Sequence, residues 1–352
     1  GCGEMRVAIV NDLRIATEAL RRVVCSHPAH SVAWTAASGE EAVRLCEKDP
    51  PDVVLMDLLM PGINGAEATR QIMQRCPCPI LVVTATVAGN YALVCEAMSH
   101  GAFDAVATPV LGDKPPAEAG AALLAKLNHV DKIRSRLEGQ AGPAAPAVVR
   151  PSARTADDRP RLPLVAIGAS TGGPQALRAI LSKWPRDLPA ATVVAQHISA
   201  DFAGSLVAWL SDGCRLAVRT AASGDRPQAG VVLVAGTDDH LVMRPDKTLV
   251  YAKEPIGNPF RPSVDVLFQS LAQHWPSPSV GVLLTGIGRD GAQGLLELRR
   301  AGWHTIAQDQ RTSVVYGMPQ AASQLGAAVE VLPIGDIAAS VGRYLTPRFG
   351  TT

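Results

Sequence analysis

Long hydrophobic runs are missing from this chain: nowhere do eighteen apolar residues follow one another, and the start carries no basic-then-apolar stretch. These absences exclude a membrane-spanning helix and a secretory signal, so a cytoplasmic protein with no direct membrane insertion is expected. Charge of one sign is equally scarce. Thirty-three Lys and Arg stand against 32 Asp and Glu, a net charge of +1 with no long block of either sign. That excludes the electrostatic footprint of a nucleic-acid binder and a polybasic membrane patch. Seven cysteines are scattered, and the only close pair, Cys76-Pro77-Cys78, fits neither C-x-x-C redox spacing nor zinc spacing. They read as reduced packing residues. No internal repeat is visible, and Gly1 to Glu4 stand ahead of a native start expected at Met5.

What the chain does have is the stretch RLPLVAIGASTGGPQAL from Arg161 to Leu177. A short, mostly β-branched run, Leu164 to Ile167, ends in Gly168-Ala169-Ser170-Thr171-Gly172-Gly173, and Pro174 opens an apolar-periodic segment. This is strand, tight turn, helix. The letters fit G-x-S-x-G, in which flanking glycines let a serine sit on a sharp turn with its hydroxyl held out at the sheet's carboxyl edge. Ser170 is therefore a candidate nucleophile. A purely structural turn and a dinucleotide site compete with that reading. The spacing is not G-x-G-x-x-G, and after the next strand Gln196-His197 stand where a dinucleotide fold places a ribose-binding carboxylate.

At 352 residues the chain exceeds one ordinary core, so two domains are expected. The break falls where the text turns to Ala, Pro, Arg and Gly, giving domains at 5–127 and 162–346 and a linker at 128–161. In the first domain, strands are expected at Arg6–Val10, Ser31–Thr35, Val53–Met56, Ile80–Thr84 and Ala105–Ala107. Helices are expected at Ile15–Cys25, Glu40–Glu47, Asn90–Ser99 and Ala117–Leu127. Five β/α units imply a five-stranded parallel sheet covered on both faces, with chemistry at the carboxyl ends of its strands. Asn11-Asp12, Asp57 and Thr84 stand at three such ends. Two carboxylates there suit Mg²⁺, which could neutralise a phosphoryl group on Asp57; the bland alternative is helix capping.

VAIVND, VVLMDLLMPGINGAEATRQI, LVVT and the later TP resemble the response-regulator receiver domain of two-component signalling. The resemblance implies a flavodoxin-like fold, Asp57 as phosphoacceptor, Asp12, Asp57 and Asn11 at a Mg²⁺ site, and Thr84 as the switch hydroxyl. Three positions depart from it. Asn11-Asp12 replaces a pair of acids, Thr108 before Pro109 replaces a lysine, and Ala105 replaces an aromatic.

In the second domain His197 follows the strand Thr192–Gln196 and could act as general base at the edge that carries Ser170. Eight histidines in the chain also allow a capping or solvent-facing role. Three short strands, Val231–Ala235, His240–Met243 and Leu249–Ala252, read as an antiparallel insertion. Arg261, in the loop NPFRPSVD, could hold a substrate carboxylate or pair on the surface. The strand Val280–Thr285 ends in Gly286-Ile287-Gly288-Arg289-Asp290-Gly291, whose glycines free the backbone to aim N–H groups and a carboxylate at the same edge. Asp290 is expected to orient His197 and the Ile287 N–H to face an oxyanion, with helix capping by Asp290 as the alternative.

GASTGGP, QH, NPFRPSVD, TGIGRDG and SVVYGMP, in that order, resemble the catalytic domain of the chemotaxis-type protein-glutamate methylesterases, the CheB family. A receiver followed by this domain is that family's architecture, and the VND start and TP ending look most like its Wsp-type, surface-sensing branch. By position Ser170, His197 and Asp290 match the family's triad, and Thr171 and Ile287 its oxyanion region. The resemblance implies a doubly wound α/β hydrolytic domain without a cofactor for ester hydrolysis. It also implies glutamyl methyl esters of a methyl-accepting chemoreceptor as substrate, with glutamine deamidation of the same sites, and a CheA-type histidine kinase as phosphodonor. In the family the unphosphorylated receiver inhibits and phosphorylation relieves. The alternatives are a receptor-docking response regulator without turnover and a nucleotide-binding oxidoreductase.

Overall fold

In a computed structural model the chain divides into two compact units, one ending at Gln140 and one beginning at Ala141. The described residues are 4–85, 91–128, 130, 162–256, 258, 260–275 and 279–349, so the expected linker lies almost wholly outside them.

The first unit alternates β1 (Met5–Val10), α1 (Arg14–Cys25), β2 (His30–Ala36), α2 (Gly39–Lys48), β3 (Val53–Met56), α3 (Gly65–Arg75), β4 (Ile80–Thr84), α4 (Tyr91–Ser99) and β5 (Asp104–Ala107). A short α5 (Pro116–Ala119) and helical backbone at 121–128 (α6) close it, so the expected final helix is split at Gly120. The strands pair in parallel in the order β2-β1-β3-β4-β5. Val53 to Met56 and Ile80 to Thr84 are wholly buried, as continuous apolar strands covered on both faces must be. The order reverses between β1 and β3, which opens a crevice at their carboxyl ends. Asn11, Asp12 and Asp57 follow those two strands.

The second unit holds β6 (Leu164–Ala169), α7 (Gly173–Leu181), β7 (Ala191–Gln196), α8 (Ala200–Gly213), β8 (Ala217–Thr220), β9 (Val231–Val234), β10 (His240–Met243) and β11 (Leu249–Ala252). It continues through α9 (Val264–His274), β12 (Val280–Leu283), α10 (Ala292–Arg300), β13 (His304–Gln308), α11 (Met318–Gln324), β14 (Glu330–Leu332) and α12 (Ile334–Phe349). Seven strands form one parallel sheet in the order β14-β13-β12-β6-β7-β9-β8. Its core joins Ala166, Val193 and Leu233 to Phe268 and Leu295 from the covering helices.

One expectation about this unit changes. Only β10 and β11 form the antiparallel hairpin, whereas β9 lies in the main sheet, parallel to both β7 and β8. Its sequence, VVLV, has no polar alternation, the mark of a strand buried on both faces. The elements from β13 onward had no assignment in the sequence beyond the SVVYGMP motif. Among the described residues no helix is long and apolar enough to cross a membrane.

Candidate active site

The winding of the larger sheet sends the chain to opposite sides of β6, so β6, β7 and β12 end side by side at its centre. Ala169 pairs with Gln196, which makes Ser170 and His197 the next positions on neighbouring strands, and the His197 N–H donates to Ala169 O at 3.0 Å. On the other flank the Ser170 N–H donates to Thr285 O at 3.0 Å. Gly172 takes φ 76°, a left-handed turn that costs glycine nothing, and the chain then enters α7 through Pro174. Gly286 is held by approach rather than torsion: a Cβ there would lie 2.6 Å from Ser170 Cβ and 2.2 Å from Met318 Sδ. Changing Gly286 to Ala is therefore expected to displace Ser170 and lower turnover at least about tenfold without changing far-UV circular dichroism. The SVVYGMP segment buttresses this turn. Gly286 donates to Val315 O, and the N–H groups of Gly317 and Met318 donate to Gly286 O.

His197 Nε2 lies 2.7 Å from Asp290 Oδ2. Three further donors around that carboxylate come from the start of α9. Ser263 Oγ donates to Oδ1 at 2.8 Å, Val264 N–H to Oδ2 at 2.6 Å and Asp265 N–H to Oδ1 at 3.2 Å. Burial alone would raise the Asp290 pKa. The hydrogen bond and charge of His197 and these α9 donors outweigh it and hold the carboxyl below its usual range. An ionised Asp290 only accepts, so His197 Nε2 carries a proton, and in the neutral form of the ring the lone pair is on Nδ1. Nδ1 is buried and has no hydrogen-bond partner among the described residues.

Thr171 Oγ1 is also buried and unpartnered, and the Ile287 N–H donates to no described residue. Arg261 Nη2 donates to Ile256 O at 2.9 Å within its own loop.

In the smaller sheet Asp57 is 9% exposed, and burial, with a contribution from Asp12, raises its pKa. Its Oδ1 accepts the Leu58 N–H at 2.7 Å. Asn11 Nδ2 donates to Asp57 Oδ2 at 3.0 Å, while Asn11 Oδ1 accepts the Leu13 N–H at 2.9 Å. The second bond fixes which way the amide faces, so Asn11 turns its N–H donor toward Asp57 and its oxygen toward the Leu13 N–H. Thr84 is buried at the end of β4, where its carbonyl accepts the Thr108 N–H at 3.0 Å. Among the described residues no group of three His, Cys, Asp or Glu is set to hold a metal, and six cysteines are free.

Residues 165–341 match the CheB methylesterase family model, and residues 7–114 match the response regulator receiver domain. The chain belongs to the CheB methylesterase family. It is 50% identical over 340 residues to a protein-glutamate methylesterase/protein-glutamine glutaminase of Burkholderia orbicola (strain AU 1054), covering 95% of this chain and 97% of that one. A protein of the same description from Bordetella avium (strain 197N) is 50% identical over 97% of this chain and 98% of its own. The solved CheB methylesterase catalytic domain of Thermotoga maritima superposes with a TM-score of 0.50 at 34% identity, covering 52% of this chain and 99% of that domain.

In this CheB-family chain several residues to which sequence reasoning gave no role surround the edge that carries Ser170 and His197. Gln196, fully buried, donates from Nε2 to Ser170 O at 2.9 Å and to His197 O at 3.1 Å, tying the two strand ends together. Its signal was a polar side chain closing an apolar strand. Phe260 stacks on the His197 ring. His240, also fully buried, accepts the Ser263 N–H on Nδ1 at 3.2 Å, and its Nε2 faces Pro255 O at 3.3 Å. Burial lowers its pKa, with Arg261 adding to the shift, so it stays neutral and fixes the cap of α9.

Asp265 is the second carboxyl of the region. Burial and the charge of Asp290 push its pKa up to about 8, while its Oδ1 accepts the Gly294 N–H at 2.6 Å. The folded protein therefore keeps a proton that the unfolded chain, with an ordinary carboxyl near about 4, releases. Stability is greatest below pH about 4 and falls as pH rises to about 8 through this group alone. Asp265→Asn keeps the acceptor and removes the titration. It is expected to melt higher than the parent at pH 8, by on the order of 2 kcal/mol, with the gain vanishing near pH 4. Calorimetry across that range checks the sign.

Proposed function

We propose that this chain is a receiver-governed protein-glutamate methylesterase acting on glutamyl methyl esters of a methyl-accepting chemoreceptor, with glutamine deamidation of the same sites. The observation that carries the reading is the unpartnered Nδ1 of His197, on the strand beside Ser170, with its ring set by an ionised Asp290. The identity to proteins named for that activity supports the substrate.

Ser170 Oγ attacks the ester carbonyl carbon as its proton passes to His197 Nδ1. The oxygen that becomes negative faces the Ile287 N–H and Thr171, donors that need no rearrangement. Collapse breaks the bond to the methoxy oxygen, which takes the proton from Nδ1 and leaves as methanol. A water then gives its proton to Nδ1 and adds to the glutamyl–Ser170 ester, Ser170 leaves with that proton, and a free glutamate side chain remains. For a glutaminyl substrate the first leaving group is ammonia. Asp290 holds the Nε2–H tautomer and stabilises the imidazolium formed in each half-reaction. No cofactor enters these steps, and the N–H donors that Arg261 keeps beyond its bond to Ile256 O suit a substrate carboxylate.

The receiver, linker and hydrolase of this reading span 5–127, 128–161 and 162–346, and the protein works in the cytoplasm. A CheA-type histidine kinase supplies the phosphoryl group to Asp57, and Thr84 is the hydroxyl that responds. The VND start and Thr108-Pro109 support a place in the Wsp-type branch. Mg²⁺ needs only one or two carboxylates beside water and phosphate oxygens, so Asp12 and Asp57 fit it, and when bound it neutralises the phosphoryl charge. Asn11 is the departure. Asn11→Asp adds a carboxylate in place of an amide donor and is expected to tighten Mg²⁺ about tenfold, read by calorimetric titration.

The regulatory half is tested by methanol release from a methylated receptor fragment, with and without a small phosphodonor, in the parent and in Asp57→Asn. Stimulation in the parent alone is expected. Equal stimulation of both would remove Asp57 from the mechanism.

A further inference from the structure

His197 is the moving part of the proposed mechanism, since its ring gains and loses a proton twice per turnover. Two of its constraints are already described: the strand backbone and the Nε2 bond to Asp290. A third lies on its face. The Phe260 and His197 rings stack with centroids 4.5 Å apart and planes 11° from parallel.

We propose that Phe260 is a positioning residue for the hydrolase: its ring face fixes the plane of the His197 imidazole and favours the imidazolium form. This rests on His197 being the general base of the proposed function. Phe260 is set firmly enough for the task. Its N–H donates to Asn258 Oδ1 at 2.9 Å, and the chain runs on through buried Pro262 to Ser263, the cap of α9. One short segment thus supplies both the ring over His197 and the donors around Asp290. On the far side a Cβ at Gly288 would lie 3.3 Å from Phe260 Cζ, so the ring also reaches the turn that carries Ile287 and Asp290.

The electrostatics give the stack a direction. An aromatic face is the negative end of the ring quadrupole, so it stabilises a cation more than a neutral ring. Stabilising the imidazolium helps the step in which Ser170 loses its proton. The other charged or titratable groups of this neighbourhood are Asp290 and Arg289 in the turn, Asp265 on α9, Glu297 on α10, His240 on β10 and Arg261 in the loop, with Asp239 acting on His240 and Asp238 capping Ala200. None of these is altered by changing the Phe260 side chain.

The test uses the full chain with ¹³C-labelled histidine, the His197 signal being assigned by its loss in His197→Gln. Phe260→Leu keeps an apolar cover without a π face, and Phe260→Tyr keeps the face. In Phe260→Leu the His197 titration midpoint is expected to fall by about half a pH unit. The acid limb of kcat/KM should move down with it, kcat should fall about tenfold and KM should stay within about twofold. Phe260→Tyr should restore all of these. Should the Leu variant melt early, Phe260→Met removes the face with a more adaptable side chain.

A midpoint unmoved in both Leu and Met variants would overturn the proposal, even with kcat reduced, because packing alone would then account for the loss. The titration needs no turnover. Failure of the esterase reading and failure of the Phe260 inference therefore show up in different measurements.

Discussion

Ser170→Ala is expected to reduce ester hydrolysis at least about 10⁴-fold while leaving the melting temperature within about two degrees. Both halves follow from where the serine's hydrogen bonds lie. Its N–H donates to Thr285 O, and its carbonyl accepts from the Gly173 N–H and from Gln196 Nε2, all of which alanine keeps. The hydroxyl bonds no described residue, so its loss orphans nothing. The chemistry by contrast loses the nucleophile proposed for it. The oxyanion donors remain and leave a small residual rate above that in water. Methanol release and a thermal melt on the same preparation check the pair.

Asp290→Asn should cost about 10³- to 10⁴-fold in kcat and, unlike the serine change, should also destabilise by roughly 2–4 kcal/mol. Every partner of this carboxylate is a donor: His197 Nε2–H, Val264 N–H, Ser263 Oγ–H and Asp265 N–H. An amide nitrogen in place of either oxygen meets two donors with a third. His197 can relieve one clash by turning Nε2 into an acceptor, but that moves the ring proton to Nδ1, the nitrogen that receives the Ser170 proton in the proposed mechanism. The start of α9 keeps the other clash. Loss of rate with an unchanged melt would show that the carboxylate is not the anchor described here.

Strand ends were the legible part of this molecule. Continuous apolar runs closed by a single polar residue marked β1, β3, β6, β7 and β12, and these carry Asn11, Asp57, Ser170, His197 and the turn to Asp290. Spacing alone does not join His197 to Asp290, 93 positions away; their pairing was expected from the strand ends and the family resemblance, and the two side chains meet at 2.7 Å. Phe260, Ser263 and His240 act through contacts across loops, and no spacing rule reaches that far. Short strands misled for a different reason. VVLV between turns reads equally as a hairpin arm or as a buried parallel strand, and only its neighbours β7 and β8 decide. Arg261 shows the limit for a single charge, since no spacing rule foretold that one of its five N–H donors bonds a carbonyl five residues upstream.

The central claim, hydrolysis of glutamyl methyl esters through Ser170, is tested most directly by methanol release from a methylated cytoplasmic receptor fragment by the full chain with a small phosphodonor present. Release is expected, and acid quenching early in turnover should leave the peptide that carries Ser170 heavier by one glutamyl acyl group. No release from the phosphodonor-treated chain, nor after cutting within 128–161 to free the hydrolase, would contradict it.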